Sequence, residues 1–287
     1  MQQNINAMLK SLYTDNMKVV LAAIIWGSSG AFIKYLGLSP GLIGFFRMAL
    51  PVLFFGVWFV FRSERLFDSG IKILLIASVV NAVRLFFYFV GFLNAPIGNA
   101  VIILYTYPVL AVLFSHFFLK EPLPFFNVML LILAMAGVVL VFSDKPIRFD
   151  NEVFLGMVAM LFSAALNAAM VVIFKHQSPK FSPPQIVFFQ NLVGAVCFLP
   201  FFITGLDQLT VHKFSVASFY AVLVGVVGFW LFFHALKRVF ASTASFLSYI
   251  EVISGILFGI FLFHEVLTWN EIAGGSMIIG ASVLLKK

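Results

Sequence analysis

Ten apolar stretches, most of them long enough to cross a bilayer, make up the greater part of this 287-residue sequence. They run over 17–37, 40–61, 72–93, 97–119, 124–142, 153–174, 183–204, 214–236, 242–263 and 270–285. About 20 helical residues cross a ~30 Å hydrocarbon core, and only the last stretch is clearly short. A lipid-facing backbone must satisfy its own hydrogen bonds, and the stretches lack the alternating dyad of barrel strands, so they are predicted to be α-helices. Composition agrees. With 62% apolar and 10% charged residues and a mean hydropathy of +1.09, too few charges remain to cover a soluble core.

The formal charge of +7 does not point to nucleic acid, because of where the cations fall. With ten spans and an inside N-terminus, Lys10, Lys18, Arg62, Arg65, Lys72, Lys120, Lys175, Lys180, Lys237, Arg238, Lys286 and Lys287 are inside. Only Lys34, Lys145, Arg148 and Lys213 are outside, and Arg47 and Arg84 lie within spans. That bias is the positive-inside rule, and it predicts cytoplasmic termini in a cell (inner) membrane. Cys197 is the only cysteine, so no intramolecular disulfide can form. The first apolar stretch lacks a small-residue cleavage site and is expected to stay in the mature chain.

The sequence also repeats. LSPGLIGFFR (38–47) matches FSPPQIVFFQ (181–190) at a spacing of 143, and residues 99–126 match 243–270 at 144. In the second block Ala100/Ala244, Tyr105/Tyr249, Phe114/Phe258, Glu121/Glu265 and Leu123/Leu267 coincide. Two blocks in the same order and nearly the same register indicate a duplication, which sets the architecture. Five spans per half is an odd number, so the halves must run in opposite directions. The predicted fold class is therefore all-α integral membrane, ten transmembrane helices as two inverted five-helix repeats. The first repeat is 1–143, the second is 153–287, and the polar stretch 144–152 is an extracytoplasmic linker. Inverted repeats are common in secondary transporters, which hold substrate near the midplane where the repeats meet. A purely structural duplication is the alternative.

Several short motifs carry a family resemblance: Trp26-Gly27 in span 1, Arg47 in span 2, and Ala100, Tyr105 and Pro108 in span 4. Glu121 and Glu265 close spans 4 and 9, each with a Leu two residues on, and the last span holds Gly274, Gly275 and Gly280. In this order they resemble the drug/metabolite transporter superfamily and, within it, the EamA-type ten-helix transporters, over nearly the whole chain. The pattern departs at Val252, where span 9 often carries proline, which bears on a kink there and not on the fold. The resemblance implies a proton-linked or exchange-type carrier of amino acids, nucleosides, nucleotide-linked compounds or similar metabolites.

Ionisable groups deep in a bilayer cost about 2.5–3.5 kcal/mol each on insertion scales, so those that occur usually face a cavity and act. Glu251 lies well inside span 9. It can hold a proton in one state and a cationic group in another, or form a structural ion pair with Arg84 or Arg47. Asn81, Arg84 and Tyr88 share a face of span 3. The Arg84 fork suits a carboxylate or phosphate, or else only Glu251. Arg47 and its repeat mate Gln190 are candidate gates, although Arg47 could instead snorkel. Trp26, Tyr88, Tyr105, Tyr107, Trp230 and Tyr249 combine aromatic surface with a polar tip, which suits an amphipathic ligand or ordinary packing. Asn99, Asn167, Gln190 and Asn191 can bond a ligand or a neighbouring helix. His234 reads as interfacial. Glu121 and Glu265 are expected to organise helix ends, and Gly255 and Gly259 to pack helices within one chain. The remaining phenylalanines read as bilayer-facing bulk and core.

No nucleophile–base pair, HExxH, clustered aspartates or GxxxxGK[ST] is present, and the five Asp residues read as outside the spans, so an enzyme or ATP-driven pump is not expected. The expected partners are a small-molecule substrate, the lipid bilayer and protons, with no nucleic acid, metal or cofactor, in a monomer or homodimer. The leading reading is a transporter of an amino acid or amino-acid derivative. A nucleoside- or nucleotide-type ligand such as S-adenosylmethionine is the alternative substrate, and a receptor or channel the alternative class.

Overall fold

The computed structural model describes residues 2–62, 71–95, 97–143, 151–264 and 266–284. Helix dominates, and no strand occurs among these residues. In chain order the helices are α1 Gln2–Gly27, α2 Ser29–Leu36, α3 Pro40–Arg62, α4 Ile71–Asn94, α5 Ile97–Leu104, α6 Tyr107–Leu119 and α7 Phe125–Val141. There follow α8 Asn151–Gln177, α9 Pro183–Thr204, α10 Val211–Tyr220, a π-helical segment Ala221–Gly228, α11 Phe229–Leu236, α12 Ala241–Leu247, α13 Ile250–Phe263 and α14 Trp269–Leu284.

Among the described residues, eight segments are long and apolar enough to cross a membrane: Thr14–Leu36, Pro40–Arg62, Ile71–Phe92, Ala100–Leu119, Glu152–Gln177, Pro183–Thr204, Val211–Leu236 and Ala241–Phe263. Of the ten predicted spans, the other two correspond to α7 and α14, with 17 and 16 residues. At 1.5 Å per residue each reaches only about 25 Å, short of a ~30 Å core. These two pack on each other. Their backbones come close, since a Cβ on Gly137 would lie 2.7 Å from the Gly274 carbonyl oxygen. The outer faces carry exposed apolar side chains such as Phe61, Phe86, Phe118 and Phe261, as a lipid-facing surface requires.

Several of the main helix contacts recur when the halves are exchanged. α3 packs on α9 and α7 on α14, each pair joining repeat equivalents. The packing of α4 on α8 has its mate in α11 on α1, that of α6 on α8 in α13 on α1, and that of α4 on α9 in the π-helical segment on α3. This is the contact pattern of two halves related by a pseudo-two-fold axis.

The spans that carry the repeated 99–126 and 243–270 blocks are each broken in two, at matching places. Between α5 and α6 the chain turns at Tyr105–Thr106, where Pro108 lacks the N–H that a continuous helix would need. Between α12 and α13 it turns at Ser248–Tyr249, although Val252 stands in the equivalent place. There short-range bonds from Glu251 N–H to the Ser248 carbonyl (3.0 Å) and from Val252 N–H to the Tyr249 carbonyl (3.0 Å) tighten the turn. The break thus persists where the family pattern departs. α6 and α13 also end alike, on left-handed residues Lys120 (φ 58) and His264 (φ 53), again repeat mates.

One sequence expectation changes here. Asp15 is not outside the spans: it sits in the first turn of Thr14–Leu36, 1% exposed, 2.7 Å from Lys18 Nζ and 3.5 Å from Arg238. A carboxylate is tolerated there because two cations hold it. Glu265 and residues 144–150 of the linker lie outside the described residues.

Candidate functional site

The two broken spans meet at the centre. Tyr105 and Tyr249, repeat mates, stack with ring centroids 6.3 Å apart. The Tyr249 hydroxyl donates to the Tyr105 carbonyl oxygen at 3.0 Å, which lies at the turn where regular helix bonding is interrupted. Just past each turn stand Tyr107, first in α6, and Glu251, second in α13. The half-helix N-termini therefore bring one phenol and one carboxylate to the same region.

A cavity of ≈ 120 Å³ opens beside them. Its polar lining comprises Trp26, Ser29, Arg47, Arg84, Tyr88, Tyr105, Tyr107, Asn167, Gln190 and Glu251. Phe174, Phe229, Phe232, Phe233 and Met170 supply much of the apolar wall. Among the described residues, no ion pair joins Glu251 to either arginine. Glu251 instead faces the Tyr105 hydroxyl, with Arg47 and Arg84 within electrostatic reach. The static structural pair, one of two readings of these charges, is not formed in this arrangement.

Arg84 is held from behind. Arg84 is buried, and its Nε donates to Asn81 Oδ1 at 3.1 Å. Asn81 in turn donates from Nδ2 to the Gln190 carbonyl oxygen at 2.9 Å, tying α4 to α9. Asn81 thus lies behind the cavity as a positioning residue. Arg47 does not snorkel outward: its Nε is buried, and its guanidinium carbon lies 5.9 Å from the Phe229 ring centroid. Pro51, four residues on in α3, removes the helical bond to the Arg47 carbonyl and loosens the backbone at that point. Glycine at 225, in the π-helical segment, makes room for the Pro51 ring, because a Cβ there would lie 2.7 Å from its Cγ.

Three buried polar atoms on lining residues have no hydrogen-bond partner among the described residues: Arg47 Nε, Trp26 Nε1 and Gln190 Oε1. Trp26 Nε1 lies against the backbone at Gly228, where a Cβ would come within 2.8 Å of it. Buried polar groups are normally hydrogen-bonded, and a polar ligand is one explanation for the other two, Arg47 Nε and Gln190 Oε1.

Of the residues singled out in the sequence, the fold gathers Trp26, Arg47, Arg84, Tyr88, Tyr105, Tyr107, Asn167, Gln190 and Glu251 around one cavity. Tyr249 stands behind Tyr105, fully buried, as a partner of the turn. Trp230 does not line the cavity: it is 40% exposed and packs on His234. Its neighbours Phe229, Phe232 and Phe233 face inward instead. Their i, i+3, i+4 spacing is the available sequence signal for a shared face. Gly27 lets α1 approach α13, since a Cβ there would lie 2.6 Å from the Glu251 carbonyl oxygen. Gly255 meets α1 within the same chain.

Residues 16–143 and 154–286 each match the EamA-like transporter family. A pseudopaline exporter of Pseudomonas aeruginosa is 24% identical over 282 residues, covering 97% of this chain and 98% of that protein. An uncharacterized transporter of Archaeoglobus fulgidus is 28% identical over 270 residues, 93% and 94% of the two chains. One crystal structure, 17% identical, superposes with a TM-score of 0.79 over 94% of this chain and 97% of the other, which shows the shared fold. With both halves matched in this way, the chain belongs to the EamA-like transporter family and is an integral membrane transporter.

Proposed function

We propose that this transporter is a secondary active carrier of an amino acid or amino-acid derivative, proton-linked or an exchanger, working by alternating access. The observation that carries the reading is the central cavity. Arg47 and Arg84 come from the first half and Glu251 from the second, and lining polar atoms lack hydrogen-bond partners among the described residues. A ligand with both an ammonium and a carboxylate group complements that arrangement. Glu251 would take the ammonium group and the arginines the carboxylate. In the empty carrier Glu251 would take a proton, so that cargo and proton compete for one group. Arg47 and Gln190, as symmetry-related lining residues, serve as the gating pair.

Size supports an amino acid over a nucleotide-type ligand. The ≈ 120 Å³ cavity is well below the roughly 300–1,000 Å³ of sites for drug-sized molecules. The nucleoside, nucleotide or S-adenosylmethionine reading is supported by the aromatic walls, which suit base stacking. The relation to a pseudopaline exporter supports small-metabolite cargo and outward movement. The biased Lys and Arg distribution supports a cell (inner) membrane location with both termini cytoplasmic. The contact of Gly255 with α1 occupies a small-residue face inside the chain, which supports a monomer.

The test begins with a thermal-shift panel of amino acids, nucleosides and related metabolites on the purified protein, because ligands of the folded state raise the melting temperature. Flux of the hits is then measured in proteoliposomes. Glu251→Gln is expected to abolish pH-driven flux while leaving the unliganded melting temperature unchanged. Normal pH-driven flux in that variant would refute the coupling role.

A further inference from the structure

We propose that the preferred cargo carries a net negative charge, as an amine with at least two carboxylates, rather than being a neutral zwitterion. The inference deepens the amino-acid reading and rests on it.

The cavity holds three charged side chains, Arg47, Arg84 and Glu251. Their formal sum is positive. Protonation of Glu251 makes it more positive still, so the sign does not depend on the state of that group. The three lie within membrane-spanning segments, where uncompensated charge is expensive. The two guanidinium groups also lie within electrostatic reach of each other. An anion between them relieves their repulsion, and a single carboxylate leaves one cation unmet.

The hydrogen-bonding inventory leans the same way. Arg84 uses Nε on Asn81, and its terminal nitrogens make no hydrogen bond to a described residue. Arg47 Nε is a donor without an acceptor among the described residues. Against these donors stand the Glu251 carboxylate and the unpartnered Gln190 Oε1 as acceptors. A guanidinium fork matches a carboxylate in two parallel bonds, so two arginines suit two carboxylates. The ammonium group then belongs to Glu251. Since the arginines and Glu251 sit in different halves, such a ligand bridges the repeats, whereas a simple dicarboxylate leaves Glu251 facing an anion.

The experiment is calorimetric titration of the full-length protein in lipid nanodiscs at fixed pH and ionic strength. The ligands are L-glutamate, L-glutamine, glutarate and L-lysine. Glutamate is expected to bind at least tenfold tighter than each of the others. Arg47→Gln should bring glutamate and glutamine within about threefold of each other. Glutamine or lysine binding to the native protein as tightly as glutamate would overturn the inference while leaving the amino-acid reading intact. Glutarate matching glutamate would overturn the assignment of the ammonium group to Glu251, and the inference with it. If none of the four binds while a nucleotide does, both this inference and the amino-acid reading fail. The native-protein series needs no variant to fold. Arg47→Lys, which keeps the charge but not the fork, should retain the preference for glutamate over glutamine.

Discussion

Glu121 offers the sharpest test of how the broken spans are held. It follows the C-cap of α6, yet its carboxylate reaches the start of α12 in the other half. Oε1 accepts from Ala241 N–H at 2.7 Å, and Oε2 accepts from Ser242 N–H at 3.0 Å and from Ser242 Oγ at 2.7 Å. These two amides open α12 and have no acceptor within the helix, so Glu121 acts as an N-cap supplied from a distant part of the chain. It is 5% exposed, so water cannot easily take its place. Nearby, Lys175 Nζ donates to the carbonyl oxygens of Leu236 (2.7 Å) and Val239 (2.6 Å), and its charge lies within reach of Glu121.

Each hydrogen bond to a charged group contributes about 1.5–3 kcal/mol, and an orphaned buried donor costs a similar amount. Glu121→Gln retains one acceptor oxygen, which can serve Ala241. Its amide can donate to Ser242 Oγ but must face the Ser242 N–H, so one bond is lost. The expected cost is about 2 kcal/mol. Glu121→Ala loses all three bonds and leaves Lys175 without its nearby counter-charge, and about 3–5 kcal/mol is expected. Unfolding of both variants by a denaturing detergent in mixed micelles, followed by helicity, measures this. The double variant with Lys175→Met should be less destabilised than the two single variants predict together, as coupled groups require. A Glu121→Gln variant within about 0.5 kcal/mol of the parent would refute the remote-cap account, since ordinary surface substitutions fall in that range.

Three further outcomes follow from the same geometry. Gly27→Ala places a Cβ 2.6 Å from the Glu251 carbonyl oxygen and closer still to Ser254 Oγ. Overpacking of this kind costs about 1–3 kcal/mol, and because it moves the turn bearing Glu251, ligand affinity in a titration should fall more than the melting temperature suggests. Tyr249→Phe removes the hydroxyl bond to the Tyr105 carbonyl, and a loss of about 1 kcal/mol in detergent-induced unfolding is expected, with helicity retained. Arg84→Ala should abolish binding of carboxylate-bearing ligands first. An unchanged ligand profile with a sharply lowered melting temperature would show that Arg84 is structural.

The spans were legible because hydropathy is local: every apolar stretch carries helix, and only the two shortest fall below a full crossing. The repeat was legible at Tyr105/Tyr249 and Glu121/Glu265 because those residues survive as identities. The broken helices were less so. Pro108 announces the turn before α6, but Val252 gives no sign of the equivalent turn before α13. That turn is fixed instead by short-range bonds at Ser248 and Tyr249 and by packing on α6. The cavity's charged residues stood out because charge is rare in a membrane. Its apolar wall did not, since lipid and an occluded cavity both accept phenylalanine. Trp230 shows the limit. One residue along a helix is a rotation of about 100°, so the residue with the polar tip faces away while Phe229 faces in. Asp15 was misplaced because its tolerance depends on Arg238, distant in sequence.

The scaffold and the chemistry obey different symmetries, and the difference follows from what a carrier must do. The backbone repeats closely. Both central spans break just before Tyr107 and Glu251, both continuations end on left-handed residues, Lys120 and His264, and the two tyrosines of the turns meet across the axis. A non-glycine residue in that conformation costs roughly 1–2 kcal/mol, so its recurrence at mated positions reflects a shared backbone requirement rather than chance. Halves with equivalent backbones can exchange roles at little energetic cost, which is what opening to either side demands. A single asymmetric cargo cannot be bound symmetrically, however, and where the halves meet the repeat is broken at its charged positions: Arg47 has Gln190 as its mate, Arg84 has Gly228, and Tyr107 has Glu251. At Gly228 the absent side chain leaves room for the Trp26 indole, because a Cβ there would lie 2.8 Å from Nε1. Symmetric hinges therefore surround a site whose cations come from one half and whose carboxylate comes from the other. A ligand that spans both charges touches the two halves at once, and its binding energy is available to favour the states in which they are close together.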